Sequence, residues 1–222
     1  MKSFKKQLLC IAEKKMPKND PSHDINHTLR VLAISEKIAV AENADFDIIV
    51  PSAIFHDVIN YPKNHRKRLH SAKKSAKFAK KILNKTASFP KNKIEKVYNS
   101  INFCSFTKAL KPDFLEAKIL QDADGLEATG AISIMRTFSS ARTLNKTFYN
   151  TSDPFCEKRK PEDNRYALDL FFTRLLVIQN RLHTKTAKMM AKKRVEFLKI
   201  FLKELEFELL ENNMHFQNLK YE

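Results

Sequence analysis

The stretch Asp24-Ile-Asn-His-Thr-Leu-Arg-Val-Leu-Ala-Ile-Ser-Glu-Lys-Ile-Ala-Val-Ala-Glu-Asn43 decides the fold class. Ile25, Leu29, Leu32 and Ile38 recur at steps of three and four residues or their sums, the period of one face of an α-helix. Asp24 suits the N-cap, where a short carboxylate accepts from the unpaired N–H groups of the first turn. A helix over about Asp24–Asn43 follows.

Outward from this helix the pattern repeats. The N-terminal Met1–Lys15 reads as an amphipathic helix. Asp45 can cap a further helix that carries Pro51 in its first turns and ends near His56–Asp57. Ser71–Asn84 is Ala- and Lys-rich and amphipathic, and Lys91–Phe103 repeats Ile94, Val97 and Ile101. Asp113 to about Phe138 predicts one long apolar helix with Gly125 and Gly130 inside it, and Tyr166–Leu182 and Lys185–Leu210 predict two more. Runs with strand alternation are nearly absent. The expected class is therefore all-α, one helical bundle over 1–222, with a core at about 20–138 and C-terminal helices at about 166–210 packing on it. Ser139–Arg165, with Pro154 and Pro161, lacks a period and reads as a long loop.

Composition narrows the class. With 222 residues and 43% hydrophobic content the chain can bury one sizeable core. No run of about 18 apolar residues occurs, so no transmembrane helix and no membrane partner are expected. The N-terminal apolar run is short and broken by Glu13, unlike a secretory signal. Cys10, Cys104 and Cys156 are odd in number and form no CxxC, which points to a reducing cytoplasm and away from a thiolate metal site. The formal charge of +16 is spread as lysines along the whole chain. Aromatic residues are not interleaved with it as on base-stacking platforms, so a nucleic-acid partner is not expected. Such a field does favour anionic small ligands such as nucleotides.

Three features carry chemistry. His27 lies on a largely apolar helical face, His56–Asp57 closes the apolar run Ala53-Ile-Phe55, and Asp122 and Asp124 sit inside Lys118-Ile-Leu-Gln-Asp-Ala-Asp-Gly-Leu126. An ionised carboxylate in such surroundings is costly unless paired or bound to a metal. Imidazoles and carboxylates on separate core-facing helices are what a metal site in a helical bundle requires. Each feature alone has low specificity: a second His-Asp pair, His23–Asp24, stands at a helix start, where Asp24 serves as cap or orienting partner rather than ligand. Helical geometry does not choose between Asp122 and Asp124. No Ser-His-Asp set, P-loop or dinucleotide fingerprint competes.

In their order these motifs resemble the HD superfamily of metal-dependent phosphohydrolases, most closely its YedJ/YpgQ-like branch. "SHDxxHxxRV" is matched by Ser22–Val31, "HDxxxxPKN" by His56–Asn64, "EAKILQDADRLDAxGAI" by Glu116–Ile132, and "RYALDHF" by Arg165–Phe171. The resemblance covers roughly residues 20–205. It implies an HD-type helical fold and a divalent ion on His27, His56, Asp57 and one carboxylate of the Asp-Ala-Asp pair. The wider superfamily pattern points to Asp124 for that ligand, with Asp122, Asp24 and Glu127 as orienting partners or alternative ligands. Asp57 and Asp124 are the expected catalytic carboxylates. A mixed nitrogen and oxygen site suits Mn²⁺, Mg²⁺, Fe²⁺, Ni²⁺ or Zn²⁺ without choosing one. Lys63, Asn64 and Arg68, in the basic loop after the His-Asp pair, and Arg30, one turn from His27, are the expected phosphate contacts.

The resemblance further implies hydrolysis of nucleoside phosphates, most specifically pyrophosphohydrolysis of (d)NTPs. Three departures stand against the family pattern: Gly125 replaces Arg, Cys104 replaces His, and Leu170 replaces His. They motivate the alternative of a catalytically weakened protein that binds metal and nucleotide as a sensor.

Overall fold

The computed structural model describes residues 2–16, 23–61, 65–104 and 111–218. Its α-helices are α1 (Lys2–Lys15), α2 (Ile25–Glu42), α3 (Phe46–Phe55), α4 (Ser71–Lys85), α5 (Ile94–Phe103), α6 (Leu115–Glu127), α7 (Ala131–Thr143) and α8 (Lys185–Asn218). Among the described residues the β pairing is a single bridge between Thr147 and Tyr166, so the fold is all-α. No described helix is long and apolar enough to cross a membrane.

Local chemistry sets the helix ends. Asp24 caps α2, and Asn43 closes it in the left-handed region at φ 55°, a conformation that asparagine tolerates better than most residues. Asp45 caps α3 by accepting from the Asp47 N–H at 2.9 Å.

The chain divides into two compact units, 1–128 with 179–189, and 129–178 with 190–222. In the first unit α3 is the central helix, with every residue from Ile48 to Phe55 buried. It is apolar on nearly all sides, as a helix covered by neighbours must be. α2 packs on α3 and α6, and α4 packs on α5. The second unit is built around Leu168, Phe171, Leu175, Leu198 and Leu202, with Phe138, Tyr149, Phe155 and Phe201 packed against them.

Two sequence expectations are corrected here. The single helix over Asp113–Phe138 is two helices, α6 and α7, parted around Gly130. Gly130 has φ 84°, and a Cβ at this position would meet the Arg194 side chain at 3.2 Å. Only glycine meets both conditions without strain. Gly125 stays helical inside α6. The second correction is at Tyr166–Leu182, which is not an α-helix: it holds the Tyr166 bridge, a π-helical turn at Phe171–Leu175 and a 3-10 turn at Ile178–Arg181. Its departure centres on Asp169. This buried carboxylate takes both ends of the Arg159 guanidinium, at 2.5 and 2.7 Å, and the Glu162 N–H at 2.6 Å. Bonds to the preceding loop replace helical ones, and Arg159 with the Glu162 N–H holds the carboxyl below its usual range against its burial. The loop itself is organised, since Asp153 accepts from the backbone of Glu157, Lys158 and Arg159.

Candidate metal centre

The two imidazoles come from helix ends whose backbone is fixed. Asp24 Oδ1 accepts from the His27 N–H at 2.8 Å, so the cap of α2 also sets the first-turn position of His27. His56 directly follows α3, and its Nδ1 lies 2.8 Å from the Ala53 carbonyl. A carbonyl only accepts, so His56 carries its proton on Nδ1 and a lone pair on Nε2. His27 Nδ1 faces Glu127 Oε2 at 3.2 Å, a carboxylate placed to favour the same tautomer. Carboxylate or carbonyl partners of this kind are the usual orienting contacts of metal-binding histidines.

The two Nε2 atoms lie 3.1 Å apart and are buried. In neutral rings with the proton on Nδ1, the two Nε2 lone pairs face each other. A cation between them resolves this opposition. Two nitrogens each about 2.1 Å from one ion, at angles of about 90–110°, would be about 3.0–3.4 Å apart, so the spacing fits. Asp124 Oδ1 is 3.7 Å from His27 Nε2 and 4.0 Å from His56 Nε2. Asp57 Oδ2 is 3.8 and 3.9 Å from the same atoms. His27, His56 and Asp124 form a cluster able to hold a metal, their donor atoms all within 4.8 Å of one another. Asp57 lies beside this triad, near both imidazoles. The imidazoles are fully covered, whereas the carboxylate side chains are 25% and 29% exposed. The nitrogens thus form the floor and the oxygens the rim.

Around this cluster the described residues of the expected site have definite places. Glu127 is buried behind His27 and also accepts from Arg30 Nε at 2.6 Å. Arg30 is therefore tied to Glu127, while Asp24 serves the α2 cap. Asp122 points away from the imidazoles. Its oxygens accept from the His183 N–H at 2.8 Å, the Thr184 N–H at 2.8 Å and the Thr184 hydroxyl at 2.6 Å. Burial pushes its carboxyl up, and these hydrogen bonds oppose that rise. Arg68, half-buried, opens the short 3-10 turn before α4. Lys63 and Asn64 lie outside the described residues. Cys104 is buried, and its thiol is pushed well up by burial and then by Asp124 and Asp57, so it stays protonated.

Four partners come to light only in the structure. Thr184 and His183 answer Asp122 from 62 and 61 positions away. Ser75 and Ser71 secure the segment after the His-Asp pair: Ile59 N–H donates to Ser75 Oγ at 3.0 Å and Tyr61 N–H to Ser71 Oγ at 3.2 Å. Ser71 and Ser75, four apart in an Ala- and Lys-rich helix, were at least visible as small polar residues on one face.

Two imidazoles and two carboxylates brought together by α2, α3 and α6 define a class, and comparison with known proteins shows what it is similar to. Residues 24–129 match the HD domain family. The chain is similar to the uncharacterized protein YpgQ of Bacillus subtilis, with 28% identity over 190 residues, 83% of each chain. It is also similar to the crystal structure of B. subtilis YpgQ in complex with ADP, with a TM-score of 0.70, 25% identity and coverage of 93% and 95%. For the Lin1889 protein of Listeria innocua the TM-score is 0.68, the identity 29% and the coverage 92% and 97%. Over residues 24–129 this chain matches the HD domain, and its fold is similar to that of a predicted HD-superfamily hydrolase from an uncultured Thermotogales bacterium, with a TM-score of 0.61, 27% identity and coverage of 91% of each chain.

Proposed function

We propose that this chain hydrolyses nucleoside phosphates at a divalent ion held by His27, His56, Asp57 and Asp124, with pyrophosphohydrolysis of (d)NTPs as the specific reaction. The observation that carries this reading is the pair of buried Nε2 atoms 3.1 Å apart, a spacing that suits two nitrogens on one cation. The ion, when bound, polarises a phosphoryl oxygen and acidifies water. Asp57 and Asp124, at the rim, orient the attacking water by accepting its hydrogens on their outward oxygens. Glu127 keeps the His27 proton on Nδ1, and the Ala53 carbonyl does the same for His56. Arg30, through the nitrogens that Glu127 leaves available, and Lys63, Asn64 and Arg68 hold the phosphates.

Nucleotides as substrate are supported by the ADP complex of the related YpgQ and by the positive charge of the chain. Mn²⁺, Mg²⁺, Fe²⁺, Ni²⁺ and Zn²⁺ all suit two nitrogens and two oxygens. Free thiols at Cys10, Cys104 and Cys156 suit a cytoplasmic location.

Gly125, where the family pattern has a cation two residues before Glu127, favours one second reading, a weakened sensor. The deciding experiment incubates the protein with each metal and a panel of nucleotides and resolves phosphate from pyrophosphate release. Metal-dependent pyrophosphate release supports the enzyme. Tight nucleotide binding with no turnover for any metal supports the sensor.

A further inference from the structure

The outer face of α8 carries a row of exposed apolar side chains. Ile200 and Phe207 are seven residues apart, which is two turns, so they lie on one side of the helix. They are 67% and 57% exposed. Phe197 precedes Ile200 by three residues and Leu210 follows Phe207 by three, and both are also exposed. The opposite side, with Leu198 and Leu202, is buried in the second unit. Large apolar groups repeating at three and seven residues on an exposed face are the pattern of a helix seam.

The charges beside this row are sorted along the helix. From Lys185 to Lys203 the sequence holds six lysines and an arginine against one glutamate. From Glu204 to Glu211 it holds four glutamates and no cation. Two such helices laid parallel oppose like charges along their full length. Laid antiparallel, the basic half of each meets the acidic half of the other.

We propose that this face docks a second copy of the chain, with the two α8 helices antiparallel about a two-fold axis near Leu202. That register sets Phe197 of each copy against Phe207 of the other and Lys193 against Glu211. Both members of the charged pair are exposed in the single chain. The pairing is isologous and closes on itself, as two-fold interfaces do. The segment from residue 193 to 211 is about 28 Å long, a small interface, so the dimer forms and dissociates with concentration.

Sedimentation velocity of the full chain over a concentration series tests this. The expected result is a shift from the 25.8 kDa chain towards twice that mass. Ile200→Asp with Phe207→Asp should raise the dissociation constant at least about tenfold, with an unchanged circular dichroism spectrum because both sites are exposed. Lys193→Glu should weaken the dimer, and adding Glu211→Lys should restore it. A monomer at every concentration overturns the proposal, as does a dimer indifferent to the two aspartates. Failure of the double charge swap to restore pairing overturns the antiparallel register.

Discussion

Glu127 Oε2 lies 3.2 Å from His27 Nδ1, and neither side chain is more than 1% exposed. A carboxylate there favours a proton on Nδ1 and a lone pair on Nε2. Orienting partners of this kind typically contribute about 10–100-fold to metal affinity. Glu127→Ala should therefore weaken divalent-ion binding by about that factor in a calorimetric titration. Glu127→Gln retains an accepting oxygen and should lose less. Equal affinity in parent and alanine variant would remove Glu127 from this role.

Asp122 and Asp124, two residues apart on α6, should fail in different ways. Asp122→Ala leaves two N–H groups and a hydroxyl without their acceptor, which should cost about 3 kcal/mol of stability in a urea titration. Its metal content should stay that of the parent. Asp124→Ala should lose bound metal while unfolding near the parent midpoint. The reverse pattern, measured by elemental analysis, would transfer the ligand role to Asp122.

The Asp169 carboxyl is held low in the folded protein by the Arg159 guanidinium, against an unfolded value of about 3.9. A group depressed on folding contributes its stability above the unfolded value and loses it as pH falls through the folded one. Asp169→Asn should cost about 3 kcal/mol at neutral pH, because it leaves Arg159 without its charge partner. The deficit relative to the parent should shrink below about pH 4. A deficit that stays constant across urea titrations from pH 7 to pH 3 would contradict an ionic origin.

The two glycines of the chain, five positions apart, should respond oppositely to alanine. Gly125 is inside α6, where alanine gains about 0.5–1 kcal/mol by helix propensity. Gly130→Ala puts a Cβ at positive φ and against Arg194, and should lose about 1–2 kcal/mol. Thermal unfolding of both variants checks the sign. A stabilising Gly130→Ala would contradict the backbone described.

The sequence was most legible where structure is local. The caps Asp24 and Asp45 start α2 and α3 because a side chain bonds its own neighbouring backbone. His27 and the His56–Asp57 pair stood out because charged groups interrupt apolar helices. What could not be read was decided at long range. The pattern around Asp113–Phe138 does not tell which glycine breaks the helix, because Arg194 makes that choice from far along the chain. Tyr166–Leu182 has a helical period, yet Asp169 is drawn to Arg159 and Tyr166 to Thr147. Asp122 and Asp124 are told apart by His183 and Thr184, which supply donors to the first.

The first unit is discontinuous: residues 1–128 are completed by 179–189, which bring Thr184 to Asp122. A ribosome must therefore synthesise most of the second unit before the first can close. Until then Asp122 has neither the Thr184 hydroxyl nor the two backbone donors, and α6 must wait with a carboxylate facing apolar surroundings. The region that matches the HD domain ends at residue 129, short of the segment that supplies these donors. Excised at that boundary it should emerge from the tunnel incomplete, exposed to proteases and chaperones for as long as the returning segment is missing.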